Sequence, residues 1–274
     1  MKTNQVVFIT GASSGIGKAT ALQLIQEGMI VYGAARRMNQ MEDLAKSGGH
    51  ALEMDVTNES QVQSAVAQII AEQGRIDVLI NNAGYGLYGA VEDAPLEAAR
   101  RQFEVNLFGL AAVTKAVIPH MRSRKQGKII NISSMGGKVY MPLGAWYHAS
   151  KHALEGWSDC LRLELAAFGI DVVIIEPGII ATEFGDVMTD PMMEISGNGA
   201  YAPLAKAVAK STKDSYAKGG ASPAGIISDL ISRAIRSPRP KTRYATGKFA
   251  KPLMFVRRYF SDRVYDKIIM SQIK

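Results

Sequence analysis

At 274 residues the chain can bury the core of one large α/β domain without disulfide staples. A 47% apolar, 21% charged composition, one cysteine and no apolar run near the ~20 residues of a membrane span exclude a disulfide scaffold, a cysteine-based metal site and a spanning protein, and point to a reducing cytoplasm. The net charge of +7 is unevenly placed: from Arg239 onward ten Lys or Arg face two acids, whereas the first 238 residues hold 22 basic and 23 acidic residues, so the body does not read as a nucleic-acid binder.

The opening MKTNQVVFIT runs into a short apolar strand and carries no signal-peptide pattern. In chain order the predicted strands are Val6–Thr10, Ile30–Ala34, Ala51–Met54, Val78–Asn81, Lys128–Ser133 and Val172–Glu176. Helical patterns lie between them at Ile16–Glu27, Glu59–Glu72, Leu96–Met121 and Ala145–Phe168. Runs such as VVFIT and VVIIEP are apolar throughout, as in strands buried on both faces. Strand–helix alternation then gives a doubly wound parallel sheet with helices on both faces, a Rossmann-like single domain over residues 1–247. After Thr182 the pattern loosens into an irregular stretch of about 183–222, a substrate loop or lid, around a helical piece near Leu204–Ala217. Ser222-Pro223 is expected to cap and open a further helix. Residues 248–274 form a basic amphipathic C-terminal extension.

The turn after the first strand carries the first functional signal. In Thr10-Gly11-Ala12-Ser13-Ser14-Gly15-Ile16-Gly17, three glycines allow a tight turn and close backbone approach to a pyrophosphate, and the following helix offers free N–H donors. The spacing is GxxxGxG and not the commoner GxGxxG, so its position between strand and helix carries the weight. An NAD site wants an acid near the end of the second strand. Here that strand ends Ala34-Ala35-Arg36-Arg37, with no acid between Gly28 and Met41, and Arg36 beside Arg37 suits a 2′-phosphate. The expected cofactor is NADP(H). Asp55 and Val56 end the third strand and are placed to flank an adenine.

Tyr147 and Lys151 are four residues apart on one helix face. A free phenol ionises near ~10, and a neighbouring ammonium favours its anion, so the tyrosine can exchange a proton with an alcohol or carbonyl. Ser134, thirteen residues before Tyr147, ends a strand where its hydroxyl can hold a substrate oxygen. Asn82-Ala83-Gly84 and Pro177-Gly178-Ile179-Ile180-Ala181-Thr182 end two more strands at the same edge, with Thr182 placed to bond a carboxamide.

TGASSGIG, NNAG, Asn106, Ser134, Tyr147-x-x-x-Lys151 and PG-x-x-x-T, in this order over about Gln5 to Ile235, resemble the short-chain dehydrogenase/reductase family. The resemblance implies an oxidoreductase that interconverts a carbonyl and an alcohol. In it Tyr147 is the acid/base, Ser134 orients the substrate, Lys151 binds the ribose and tunes Tyr147, and Asn106 holds a water that relays protons to Lys151. It also implies a homodimer or homotetramer packed through the helices of Asn106 and Tyr147. Trp146–Gly178 is further similar to members acting on steroids and retinoids, which would make the small-molecule substrate lipophilic.

No metal is expected: His148 and His152 have no carboxylate cluster at ligand spacing. Met188, Met192 and Met193 either line a flexible apolar pocket or fill gaps. Cys160 is read as a packed small hydrophobe. The tail is read as an amphipathic helix covering protein, ahead of one touching lipid. The rival functions are a non-catalytic NADP(H) sensor and a membrane-associated adaptor.

Overall fold

The computed structural model describes residues 4–217 and 220–273. Lys218 and Gly219 of the expected loop, and Lys274 of the basic tail, lie outside the described residues. Strands β1 (Val6–Thr10), β2 (Ile30–Ala35), β3 (His50–Glu53), β4 (Val78–Asn81), β5 (Gly127–Ile132) and β6 (Ile170–Pro177) are followed by two short strands, β7 (Ile180–Ala181) and β8 (Ser222–Pro223), and by β9 (Arg243–Thr246). Seven of them form one parallel sheet in the order β3-β2-β1-β4-β5-β6-β9, while β7 pairs with β8. This is a Rossmann-like α/β domain, and its strand order reverses between β1 and β4, where such sheets open a crevice.

The helices are α1 (Gly15–Gln26), α2 (Glu42–Lys46), α3 (Glu59–Gln73), α4 (Leu96–Phe103), α5 (Leu110–Ser123), α6 (Ala145–Leu165), α7 (Phe184–Ser196), α8 (Ala202–Tyr216), α9 (Gly225–Arg236), α10 (Ala250–Tyr259) and α11 (Asp262–Ser271). They generate three apolar layers. On one face of the sheet Val62 and Ile69 of α3 and Val113 and Val117 of α5 join Phe8, Leu79 and Ile129 in one core. On the other, Leu24 of α1 and Ile227 and Ile231 of α9 join Val7, Ile9 and Ile130. Consecutive residues of β1 thus face opposite cores, which is why the strand reads as an unbroken apolar run; every one of its residues is buried. Each such side chain contributes about 1.5–3 kcal/mol on burial. A third core lies beyond the sheet edge and joins Met188 and Met192 of α7, Ala205 and Val208 of α8, and Leu253, Tyr265, Ile269 and Ile273 of the tail.

The structure departs from the sequence reading at five places. Residues Arg243–Thr246 add a seventh strand; RYAT is short, half-buried throughout and carries no apolar run to announce it. The stretch after Thr182 holds the expected helical piece near Leu204–Ala217, as α8, but its first part is not irregular and folds as α7. Pro191 sits inside α7, where a sequence pattern predicts a break, and the helix survives by burying Met188 and Met192. Ser222 and Pro223 do not cap a helix: they pair with Ile180 and Ala181, and α9 begins at Gly225. The long helix over 96–121 is interrupted by a π-helical turn at Glu104–Gly109, which carries Asn106. Cys160 is exposed on α6 and is not packed.

Candidate active site

Every strand of the sheet's first half ends at the same edge, and the loops leaving those ends enclose a cleft of about 700 Å³. The glycine loop forms its floor. Gly11 and Gly15 have φ of +69° and +55°, a region that costs other residues energy. A Cβ on Gly17 would fall 2.3 Å from the Gly11 carbonyl oxygen and from Asn82 Nδ2, so the loop and the β4 end approach as closely as backbone allows. Asn82 locks that approach by donating to the carbonyls of Thr10 (3.0 Å) and Gly11 (3.1 Å). Thr10 Oγ1 in turn accepts from the N–H groups of Asn82 and Ala83.

This floor fits a dinucleotide. Helix α1 starts at the cleft without a side-chain cap, which leaves its first-turn N–H groups for an anionic group. Ser13, Ser14, Gly15 and Ile16 line the cleft; Gly17 sits behind it and shapes the turn. At the β2 end, Arg36 and Arg37 are exposed on the cleft rim, and Arg37 Nη2 lies 3.4 Å from the hydroxyls of both Ser13 and Ser14. The sequence reading favoured Arg36; the geometry puts Arg37 directly over the glycine loop. Asp55 and Val56 line the neighbouring wall. Burial raises the Asp55 carboxyl, but hydrogen bonds from Thr57 and the charges of Arg101 and Arg36 hold it below its ordinary value.

The opposite wall carries the chemistry. Tyr147 and Lys151 project from α6, both buried, and Ser134 stands at the end of β5 with its Oγ accepting from the Gly136 N–H at 3.0 Å. Burial pushes the Tyr147 phenol up to about 12, opposed by a hydrogen bond with Ser134. Lys151 donates to the Ile132 carbonyl at 2.9 Å, and burial brings its ammonium down to about 8 against the attraction of Glu155. The sequence reading expects the ammonium, together with the positive charge of an oxidised nicotinamide, to lower the tyrosine; burial acts in the opposite direction.

Asn106 does not line the cleft. Its side chain is 1% exposed and fully committed: Oδ1 accepts from the Tyr85 N–H, and Nδ2 donates to the Tyr85 carbonyl and to Ser150. It ties the β4 loop to α6. A side chain on Gly84 would meet Asn106 Oδ1 at 3.1 Å and Lys151 Nζ at 3.9 Å, so these three are brought together. Ala83, Pro177, Gly178, Ile180 and Thr182 complete the wall. The need for glycine at 178 arises behind the cleft, where a Cβ would strike the Lys248 carbonyl at 2.2 Å.

Residues that sequence reasoning missed surround the Tyr147 ring. Tyr88 and Phe184 lie 5.7 and 5.5 Å away, centroid to centroid, and Tyr216 lines the same space. For Tyr88, the aromatic-rich YGLYG segment directly after NNAG was the available signal. His148, whose ring lies 5.6 Å from that of Tyr147, is buried and faces the Gly136 carbonyl through Nδ1. Burial brings it down to about 4, so it is neutral. Of the three methionines, Met188 lines the cleft, Met192 is wholly buried beneath it and Met193 packs at the margin.

A dinucleotide cradle at a strand-order reversal, facing a buried Tyr–Lys pair, defines a Rossmann-type oxidoreductase. The family description "short chain dehydrogenase" matches residues 5–192, and the chain belongs to the short-chain dehydrogenase/reductase family. It is 50% identical over 182 residues to a 3-ketodihydrosphingosine reductase of Bacteroides thetaiotaomicron, a match covering 66% of either chain. It is 35% identical to an NADPH-dependent 3-dehydrocapnine reductase of Ornithobacterium rhinotracheale, over 97% of this chain and 96% of the relative. Among solved structures, a short-chain dehydrogenase of Streptomyces avermitilis superposes with a TM-score of 0.80 at 32% identity, covering 97% of this chain and 95% of the other.

Proposed function

We propose that the chain is an NADP(H)-dependent enzyme that interconverts a lipophilic ketone and its alcohol, with Tyr147 as the acid/base. The observation that carries this reading is the buried Tyr147 hydroxyl hydrogen-bonded with Ser134, on the wall facing the glycine loop. A phenol held protonated at neutral pH is a proton donor for a carbonyl oxygen undergoing reduction. Ser134 shares that oxygen and orients it. The Lys151 ammonium, charged below about 8, favours the negative charge developing there and is placed to hold ribose hydroxyls. Bound NADP(H) supplies or accepts the hydride. Asn106 ties Tyr85 to Ser150 through its side chain, and we keep for it the water relay to Lys151 that the family resemblance implies.

The choice of NADP(H) is supported by the paired arginines at the β2 end and by the NADPH dependence stated for the 3-dehydrocapnine reductase. The fold does not make that choice, because an NAD⁺-bound xylitol dehydrogenase superposes with a TM-score of 0.77. A lipophilic ketone is supported by the walls beyond Tyr147, formed by Val139, Met141, Phe184, Val187, Met188 and Val208. The two reductases similar to this chain act on 3-ketodihydrosphingosine and 3-dehydrocapnine, and we take the first as the substrate to test.

The test is NADPH and NADH titration of the purified protein, followed by nicotinamide oxidation with 3-ketodihydrosphingosine in detergent micelles and with water-soluble short ketones. Tighter NADPH binding and turnover of the micellar ketone are expected, and Arg37→Asp should weaken NADPH about tenfold or more while sparing NADH. Failure to bind either cofactor would overturn the reading. Binding without turnover of any ketone would favour the sensor.

A further inference from the structure

The tail does two things at once. Its inner face belongs to the third core: Leu253, Tyr265, Ile269 and Ile273 are buried, Tyr265 donates to the Tyr140 carbonyl, and Ser211 donates to the Gln272 carbonyl. Tyr140 stands between Val139 and Met141, which line the cleft, and Ser211 lines it too. So α10 and α11 form the outer skin of the substrate side. That much agrees with the reading of a helix covering protein.

The outer face is left uncovered by the described residues. Phe255, Tyr259 and Phe260 are 57%, 64% and 49% exposed, and their rings cluster, with Phe255 4.8 Å from Tyr259 and 6.5 Å from Phe260. A soluble surface scatters such side chains singly; three exposed rings in contact mark an interaction site. The charges around them are sorted. Both acids of the tail are exposed but have partners within the chain, Asp262 to Arg257 at 2.7 Å and Asp266 to the Tyr140 hydroxyl at 2.9 Å. Lys251, Arg258, Arg263 and Lys267 have no carboxylate partner among the described residues, and Arg258 stacks over Tyr259 at 5.5 Å. The result is an aromatic patch on the same two helices as four cations without a carboxylate partner among the described residues, on a body that is otherwise near neutral.

We infer that this face docks the protein on an anionic lipid bilayer. Rings that bury their faces among acyl chains while flanking Lys and Arg meet headgroup phosphates make an interfacial contact. No described helix is long and apolar enough to cross a membrane, so the contact is with one leaflet. A second copy of the chain is the weaker occupant, because two such faces bring like charges together. Docking here brings the lipid against α10 and α11, which pack on Tyr140 and Ser211 at the substrate side of the cleft. The contact itself depends on neither the cofactor nor the substrate assigned above.

Flotation of the full chain with vesicles tests it. Vesicles of phosphatidylcholine alone and with about a third phosphatidylglycerol are compared at low and high salt. Binding is expected only to the anionic vesicles and should fall with salt, since each cation near the surface is worth about fivefold in partition. The triple variant Phe255→Ser/Tyr259→Ser/Phe260→Ser and the pair Arg258→Glu/Arg263→Glu should each lose it by tenfold or more, with unchanged thermal melting and NADPH affinity. Equal flotation of wild type and folded variants, or none on anionic vesicles, overturns the inference. So does a ring variant whose only change is a lower oligomeric mass by light scattering, which would assign the patch to a second copy.

Discussion

The cofactor side of the cleft and the substrate side are built in opposite ways. On the first, backbone meets backbone: Gly11 and Gly17 have no room for a methyl group, and Thr10 and Asn82 stitch two strand ends together with hydrogen bonds of 3.0–3.1 Å. On the second, helices α7, α8, α10 and α11 meet through methionine, aromatic and aliphatic side chains that have alternative ways to pack. A site for an invariant ligand tolerates such rigidity, and a site that must admit a flexible apolar one gains from adaptable walls. Tyr147 lies on the boundary, supported on α6 by the rigid half and ringed by Tyr88 and Phe184 of the softer one.

The largest effect should come at that boundary. Tyr147→Phe keeps the ring among Tyr88, His148 and Phe184 but removes the proton, so turnover should fall by roughly 10²–10⁴ while NADPH affinity stays within a factor of about two. Wild-type turnover in this variant would remove the assigned acid. Next comes the rigid half. The methyl of Gly17→Ala meets a backbone oxygen that cannot rotate away, so overpacking should cost about 1–3 kcal/mol of stability and weaken cofactor affinity. A variant that melts normally and binds NADPH normally would show that the floor yields more than its geometry implies.

The joint between the halves carries a pH signature. Arg243 of β9, which leads into the tail, reaches Asp159 at 2.6 Å and Glu155 at 3.1 Å, and its Nε is 3.5 Å from Glu176 at the end of β6. The last distance is an ion pair without a hydrogen bond, and Glu176 Oε1 has no hydrogen-bond partner. Burial first, and then repulsion from Glu155, raise Glu176 to about 7 from an ordinary 4.5. The folded protein therefore holds this proton more tightly than the unfolded chain, and the associated stability, complete below about 4.5, is lost as pH rises through about 7. Melting temperature should drop over that window in the wild type and less in Glu176→Gln. Parallel curves would mean that Glu176 is solvated in both states.

The difference between the halves also explains what the sequence discloses. A glycine required by a backbone clash or an asparagine required by a carbonyl leaves one admissible residue, so TGASSGIG and NNAG could be placed on the cleft before any coordinates; all the expected site residues line it except Gly17 and Asn106. Those two act one layer behind, shaping the turn and the β4 loop. The sheet was legible where strands are buried on both faces, and β9 was not, because its half-buried RYAT pairs on one side only. Helix α7 was hidden by Pro191; it packs on α8 and buries Met188 and Met192 in a core that is closed by the tail, some 60 to 80 residues later in the chain. Local pattern cannot report a partner that distant.

The smallest effect should be found in that distant core. Met188 is 7% exposed, lines the cleft and packs with Met192 in the third core. Met188→Leu nearly conserves volume, so stability should change by less than about 1.5 kcal/mol. The branched side chain reshapes the wall without touching Tyr147, Ser134 or Lys151, so the change should appear in KM for the lipophilic ketone, by a few-fold, with kcat held. NADPH affinity should not move, because no part of the cofactor floor is altered. A kcat loss in Met188→Leu would mean that the softer half helps to set the position of the Tyr147 hydroxyl, and the two halves would then have to be treated as one catalytic unit.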